Sequence, residues 1–145
     1  MPNNQARPLQ VEYRDFYIYT VPILAIAPAG TASFNVNIQA HYSFLLQKLT
    51  YFADIAAAAQ TYSTRIVPLI TVQITDTGSG TQLFSQPAPI PALCGTGEIP
   101  FLLQTPRLFE ANTVVTLAFT NYDAAVTYNL YLLMIGTRIW STKQG

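Results

Sequence analysis

Few side chains in this sequence have the types and spacing that chemistry needs. A protein zinc site takes several His or Cys ligands, and the chain has one of each, His41 and Cys94. Cys94 sits beside Gly95 in an apolar loop with no histidine after it, so it reads as a small buried side chain and not as a nucleophile. A single cysteine also rules out an intrachain disulfide. His41, at a strand boundary, reads as a hydrogen-bonded structural residue. The carboxylates Glu12, Asp15, Asp54, Asp76, Glu98, Glu110 and Asp123 are scattered singly apart from the first two. A glycosidase-type pair meeting across distant strands stays open on this evidence. Gly78-Ser79-Gly80 lacks the lysine and following helix that turn a glycine loop into a phosphate cradle, and reads as a hairpin loop. No cofactor, metal or catalytic set is expected.

Two arginines invite other roles. Arg107 lies between Pro106 and Leu108-Phe109, where its guanidinium would clamp a corner by bonding loop carbonyls or a carboxylate such as Glu110 or Glu98. Arg138 stands two residues before Trp140, and these residue types anchor interfaces more often than others. Tyr13, Phe16 and Tyr17 add an aromatic cluster near the N-terminus, and Arg7 and Leu9 lie in a polar, proline-bearing arm over residues 1–10. These seven residues are the interface candidates. An arm of this kind can order on a neighbouring subunit by adding to a sheet edge.

The elements that must carry these residues are strands. Val115, Leu117 and Phe119 alternate with Thr116, Ala118 and Thr120, and Val126 to Met134 alternates in the same way. The short Asn121-Tyr122-Asp123 connection predicts that these two strands are antiparallel neighbours. Pro100 and Pro106 bracket a short strand at Phe101-Leu102-Leu103, since proline cannot donate to a ladder. Earlier, Val11 to Tyr19 predicts a strand with a bulge or turn near Arg14-Asp15, and Thr20 to Ala27 a second one, ended by Pro28-Ala29-Gly30. Thr31 to Gln39 alternates with one wet face. Tyr42 to Ala53 predicts a long strand, although Leu45, Leu49, Phe52 and Ala56 also fall at helical spacing, with Asp54 to Ser63 a loop. Thr64 to Thr75 predicts an edge or bulged strand around Pro68, Asp76 to Gly80 a hairpin loop, Thr81 to Ser85 a short strand, and Gln86 to Thr96 a crossing between sheets. Eight or nine strands without a long amphipathic helix predict an all-β, antiparallel two-sheet β-sandwich, with a jelly roll its likeliest member. One domain over 11–140 would follow the arm, with 141–145 a tail.

Composition narrows the partners. Only 10% of the 145 residues are charged and the net charge is zero, against about 25% charged residues in ordinary soluble domains. Thr, Gln, Asn, Tyr and Ala stand where Lys and Glu would keep a monomer apart from its neighbours. Five Arg and two Lys, all scattered, do not form the basic patch that nucleic acid needs. Val21 to Ala29 is too short and too proline-rich to span a bilayer, and Met1 to Gln10 has no signal-peptide core.

About a third of the chain resembles the small jelly-roll decoration or cement proteins on the outside of tailed-bacteriophage capsids. The resemblance runs through Gly95-Thr96-Gly97, Pro100, the corner Pro106-Arg107-Leu108-Phe109, the strand Asn112 to Thr120, Asn121, and Tyr131 to Gly136 followed by Thr137-Arg138-Ile139. It implies that Gly95, Pro100, Pro106, Arg107, Asn121 and Gly136 are structural corner residues. It further implies a non-enzymatic virion component, assembled in the host cytoplasm as a homo-oligomer, dimer or trimer. Such a component binds the major capsid protein on the capsid exterior, with neither nucleic acid nor membrane as a partner. A fibre-associated or receptor-binding jelly roll whose loops 54–63 and 76–80 contact sugar is the other reading, and a hydrolase the third.

Overall fold

The computed structural model describes residues 10–56, 66–96 and 99–143. They form an antiparallel two-sheet β-sandwich. In chain order the elements are β1 (Gln10–Ile26), β2 (Thr31–Asn37), β3 (Ser43–Ile55), β4 (Ile70–Asp76), β5 (Thr81–Gln82), β6 (Ala88–Pro89), the single turn α1 (Ile90–Leu93), β7 (Phe101–Phe109), β8 (Val114–Asn121) and β9 (Tyr128–Lys143). One sheet has the order β1-β9-β3-β7, and the other β2-β8-β4-β5, with β6 also on β4. The pairings are nested in sequence: β1 with β9, β2 with β8, β3 with β7, and β4 with β5.

Alternation produces the core. On β9, Tyr128, Leu130, Leu132 and Met134 point inward and are buried; Val21 and Ile23 on β1, Phe44, Leu46 and Leu49 on β3, and Val115, Leu117 and Phe119 on β8 join them. Each fully buried side chain of this size contributes about 1.5 to 3 kcal/mol relative to exposure.

Several expectations need correction. β1 is one strand of 17 residues, not two. Its ladder with β9 runs unbroken from Gln10 to Ile23, so there is no bulge at Arg14-Asp15. The irregularity falls between Ile23 and Ile26, where Ala25 adopts φ 54° and donates its N–H to Asn129 Oδ1 at 2.8 Å. The apparent phase change at Arg14-Asp15 arises because β1 runs past the end of the core, where an inward-side residue such as Asp15, opposite Arg138, no longer needs to be apolar. At the other end of the chain, β9 continues to Lys143, through positions expected to be a tail.

β8 and β9 are not sheet neighbours: β8 belongs to one sheet and β9 to the other, so residues 122–127 cross between sheets. The reason is the Asn121 side chain. Fully buried, its Nδ2 donates to the carbonyls of Ile26, Ala27 and Val126 at 3.2, 3.1 and 2.9 Å, while Oδ1 accepts from the Asp123 N–H. One amide therefore ties the β1–β2 corner to the β8–β9 crossing.

Prolines also sit differently. Pro106 lies inside β7, which reaches Phe109. This is tolerated because β7 is an edge strand whose ladder with β3 skips from Arg107 to Leu102. Pro68 precedes β4, which starts at Ile70 and is internal to its sheet. The long strand over Tyr42 to Ala53 is present as β3, whereas the short strand from Thr81 keeps only two residues.

β3 bulges at Gln47, which both flanking ladders skip. Gly136 lies against that bulge: a Cβ there would fall 1.9 Å from the Leu45 carbonyl oxygen and 3.1 Å from the Phe44 ring. Gly136→Ala is therefore expected to cost about 3 kcal/mol or more. Asn121→Ala, which strips three carbonyls of their donor, should cost about 2 to 4 kcal/mol. Urea unfolding monitored by Trp140 fluorescence and by circular dichroism checks both.

Candidate functional site

The two outer faces of the sandwich differ in kind. On β2 the outward residues are Ser33, Asn35 and Asn37; β8 adds Thr116, Ala118 and Thr120, and β4 adds Thr71, Gln73 and Thr75. That face is neutral and polar. Asn35 Oδ1 accepts from Thr116 Oγ1 at 2.9 Å, and Gln73 is buried with Nε2 donating to the Phe84 carbonyl at 2.8 Å.

The outer face of the four-stranded sheet is apolar, and the ladders arrange it in rows across the strands. Leu108, Leu45 and Phe16 flank Thr137 in one row. Leu102, Lys48, Ile135 and Ile18 form the next, beyond the Gln47 bulge. Thr50, Leu133 and Thr20 make a third, and Phe52, Tyr131 and Pro22 a fourth. Asp54 and Asn129 close the face. Phe16 is 70% exposed, Leu102 62% and Phe52 58%, whereas Thr50 is 6% exposed. Large apolar side chains left this open on contiguous strands are unusual on a monomer and make this face the candidate interaction surface. Phe52 and Tyr131 form a ridge with ring centroids 6.2 Å apart, beside the buried Thr50. Near the bulge, a groove of about 370 Å³ opens between Phe16, Gln47 and Lys48.

A second apolar surface shares no residue with the first. Val67, Leu69 and Tyr122 are all more than half exposed. With Pro68, Pro89 and Pro91 they line a groove of about 260 Å³ beside the start of β4. Tyr122 is held there by its N–H, which donates to the Leu69 carbonyl at 2.8 Å.

The interface candidates separate in space. Phe16 is on the apolar outer face; Tyr13, Tyr17, Arg138 and Trp140 are on the opposite side of the same strands, where β1 and β9 extend beyond the core. Arg7 and Leu9 lie outside the described residues. Tyr13 and Trp140 stack with centroids 5.1 Å apart. Arg138 is occupied within the fold: its Nε and Nη2 bond Asp15, Nη1 donates to Gln39, and the guanidinium lies over the rings of Tyr17 and Tyr42 at 4.8 and 4.5 Å. It holds the strand ends together, with each of its three guanidinium nitrogens donating within the fold.

Among the corner residues, Arg107 points into the sandwich and places Nη2 3.9 Å from Asp76 Oδ2 on the facing sheet. Its carboxylate is Asp76, a partner from the other sheet that local spacing could not suggest; Glu98 lies outside the described residues. Gly95 extends the four-stranded sheet beside β3, accepting from the Tyr51 N–H at 2.9 Å and donating to the Leu49 carbonyl at 3.1 Å. A Cβ on Gly95 would fall 2.0 Å from the Ile99 carbonyl oxygen. Pro100 directly precedes β7.

Several of the reactive groups are tied up or buried. The Cys94 thiol is pushed up to about 12 by burial, so it is protonated at neutral pH. His41 is exposed in the turn before β3. Glu12 pairs with Arg14. Asp123 accepts from the Ala125 and Val126 N–H groups and from the Tyr128 hydroxyl. Among the described residues no group of three or more His, Cys, Asp or Glu could hold a metal ion, and no helix is long and apolar enough to cross a membrane. No protein-family model matches the chain, and no curated protein matches it either.

The carboxylates supply a pH test. Hydrogen bonds from Arg138 hold Asp15 below the usual 3.8, and the Ala125 N–H with the Tyr128 hydroxyl does the same for Asp123. Depressed folded-state values mean that their stabilisation is complete above 3.8 and disappears as pH falls through the lower folded values. The melting temperature should drop as pH falls below about 4. It should drop less in Asp15→Asn/Asp123→Asn, in thermal scans at pH 3 and 6.

Proposed function

We propose that this chain is a non-enzymatic structural protein of a virus particle, a decoration or cement protein. In this reading it assembles in the host cytoplasm as a homo-oligomer and binds the capsid exterior where major capsid proteins meet. The observation that carries the reading is the pair of separate apolar surfaces, the four-stranded sheet's outer face and the Tyr122 groove, on a chain with 10% charged residues. One partner covering either surface leaves the other wet. A subunit that contacts both its own kind and a lattice covers the two at once. Jelly-roll winding belongs to the same reading and is supported by the nested pairing, with the chain folded as one long hairpin whose tip, β4 to β6, lies in one sheet and whose remaining strands alternate between the two.

The mechanism is mass action. A protein that binds only the assembled lattice stabilises it by its own binding free energy, and an oligomer attached at several points multiplies the effect. No covalent step is required.

Purified particles from the source should contain this chain at a fixed ratio to the major capsid protein, with density on the outside of the shell. Shells stripped of it should rebind it saturably and survive heating better when loaded. Particles without the chain overturn the reading, and selective binding to a glycan array favours fibre-associated carbohydrate recognition in its place.

A further inference from the structure

The face of the four-stranded sheet carries enough order in its rows to identify what covers it. We infer that it is a two-fold interface between two copies of this chain, stacked sheet on sheet with β3 crossing β3 of the partner in the antiparallel sense. The inference rests on the reading that the exterior is covered by protein, and names the occupant of one of the two apolar surfaces.

Three features support a second copy. The first is charge. Lys48 and Asp54 both lie on the outer side of β3, six positions apart with Tyr51 midway between them. A two-fold axis lying across the strand at that midpoint brings Lys48 of each copy over Asp54 of the other, so the two charges of β3 are satisfied by self-complementarity, as an isologous contact demands.

The second is relief. The same axis sets the row of Phe52 and Tyr131 over the row of Thr50 and Leu133, so each copy's aromatic ridge meets the other's row of smaller side chains. The third is size. The four strands, about 4.8 Å apart, superpose over the seven residues from Lys48 to Asp54 at about 3.3 Å each, roughly 440 Å² in projection. Accessible area exceeds projected area, which brings the contact toward the lower end of specific interfaces, about 600 Å² per partner. Two twisted sheets stack face to face about 10 Å apart in this aligned manner, within reach of a lysine side chain. The Tyr122 groove stays open on the outside of the pair for the shell.

Sedimentation equilibrium of the full chain tests this. Wild type should be a dimer. Lys48→Glu alone and Asp54→Lys alone each place like charges opposite one another at two symmetric points and should weaken the dimer by about tenfold or more. The combined exchange should restore the affinity to within a few fold, because each pair is then opposite in sign again. Thr50→Trp, which raises a bulky ring where the partner's aromatic row must lie, should leave a folded monomer by circular dichroism. A monomeric wild type, or a dimer that the double exchange fails to restore, overturns the inference. So does protection of Phe52 and Leu133 amides from hydrogen exchange only when shells are added, which would make the shell the occupant. A monomer that still saturates shells leaves the decoration reading intact. A charge-exchange-sensitive dimer that ignores shells removes that reading and keeps the two-fold.

Discussion

The ladders on both edges of β9 are the constraint from which the rest follows. β9 pairs with β1 on one side and β3 on the other, and a one-residue slip in either would exchange its two faces. Hydrophobicity alone gives little resistance to that slip, because Leu130, Leu132 and Met134 inside are matched by Tyr131, Leu133 and Ile135 outside. Polar and steric devices resist it instead. Gly136 is the residue that fits under the Gln47 bulge, Asn129 holds the Ala25 N–H, Thr137 donates to Gln47 at 3.1 Å, and Arg138 grips Asp15. Each pins one row, and together they decide which apolar set becomes core and which faces outward.

The two-sheet all-β class was legible in sequence because Val115 to Phe119 and Tyr128 to Met134 alternate with the period of a pleated strand, which no helix shares. β3 was legible as a strand despite its helical spacing, since Tyr42, Thr50, Tyr51 and Phe52 favour extended backbone and tertiary pairing does the rest. Which strands neighbour one another was not legible. A short polar linker after Asn121 resembles a hairpin turn, and only the three carbonyls that its buried amide collects from two distant corners reveal a crossing. Pro106 misled in the same way, because an edge strand that skips its partner hides from local sequence.

Phe16 was visible among the interface candidates, but the surface it belongs to was not. Phe52 comes from β3, and Leu102 and Leu108 from β7, and they share a face with Phe16 of β1 only through ladder register. The aromatic and charged residues that stood out as a cluster, Tyr17 and Arg138, bond to one another and to Asp15 and Gln39. A low charge count does not by itself say where on the exterior the apolar side chains gather. The sandwich answers by contrast: Thr, Ser and Asn on one outer face, Leu, Ile and Phe on the other.

The nested pairing also sets a timetable. The strand that begins the described chain is partnered by the one that ends it, so the four-stranded sheet cannot close until β9 has left the ribosome. Contacts that span so much of the sequence carry a large loop-closure entropy and fold slowly. During synthesis the strand edges and apolar rows stay uncovered, in the state most exposed to aggregation. Neighbouring nascent chains would then compete with the chain's own terminus for the same edges, and the scarcity of charge leaves little electrostatic repulsion to keep them apart.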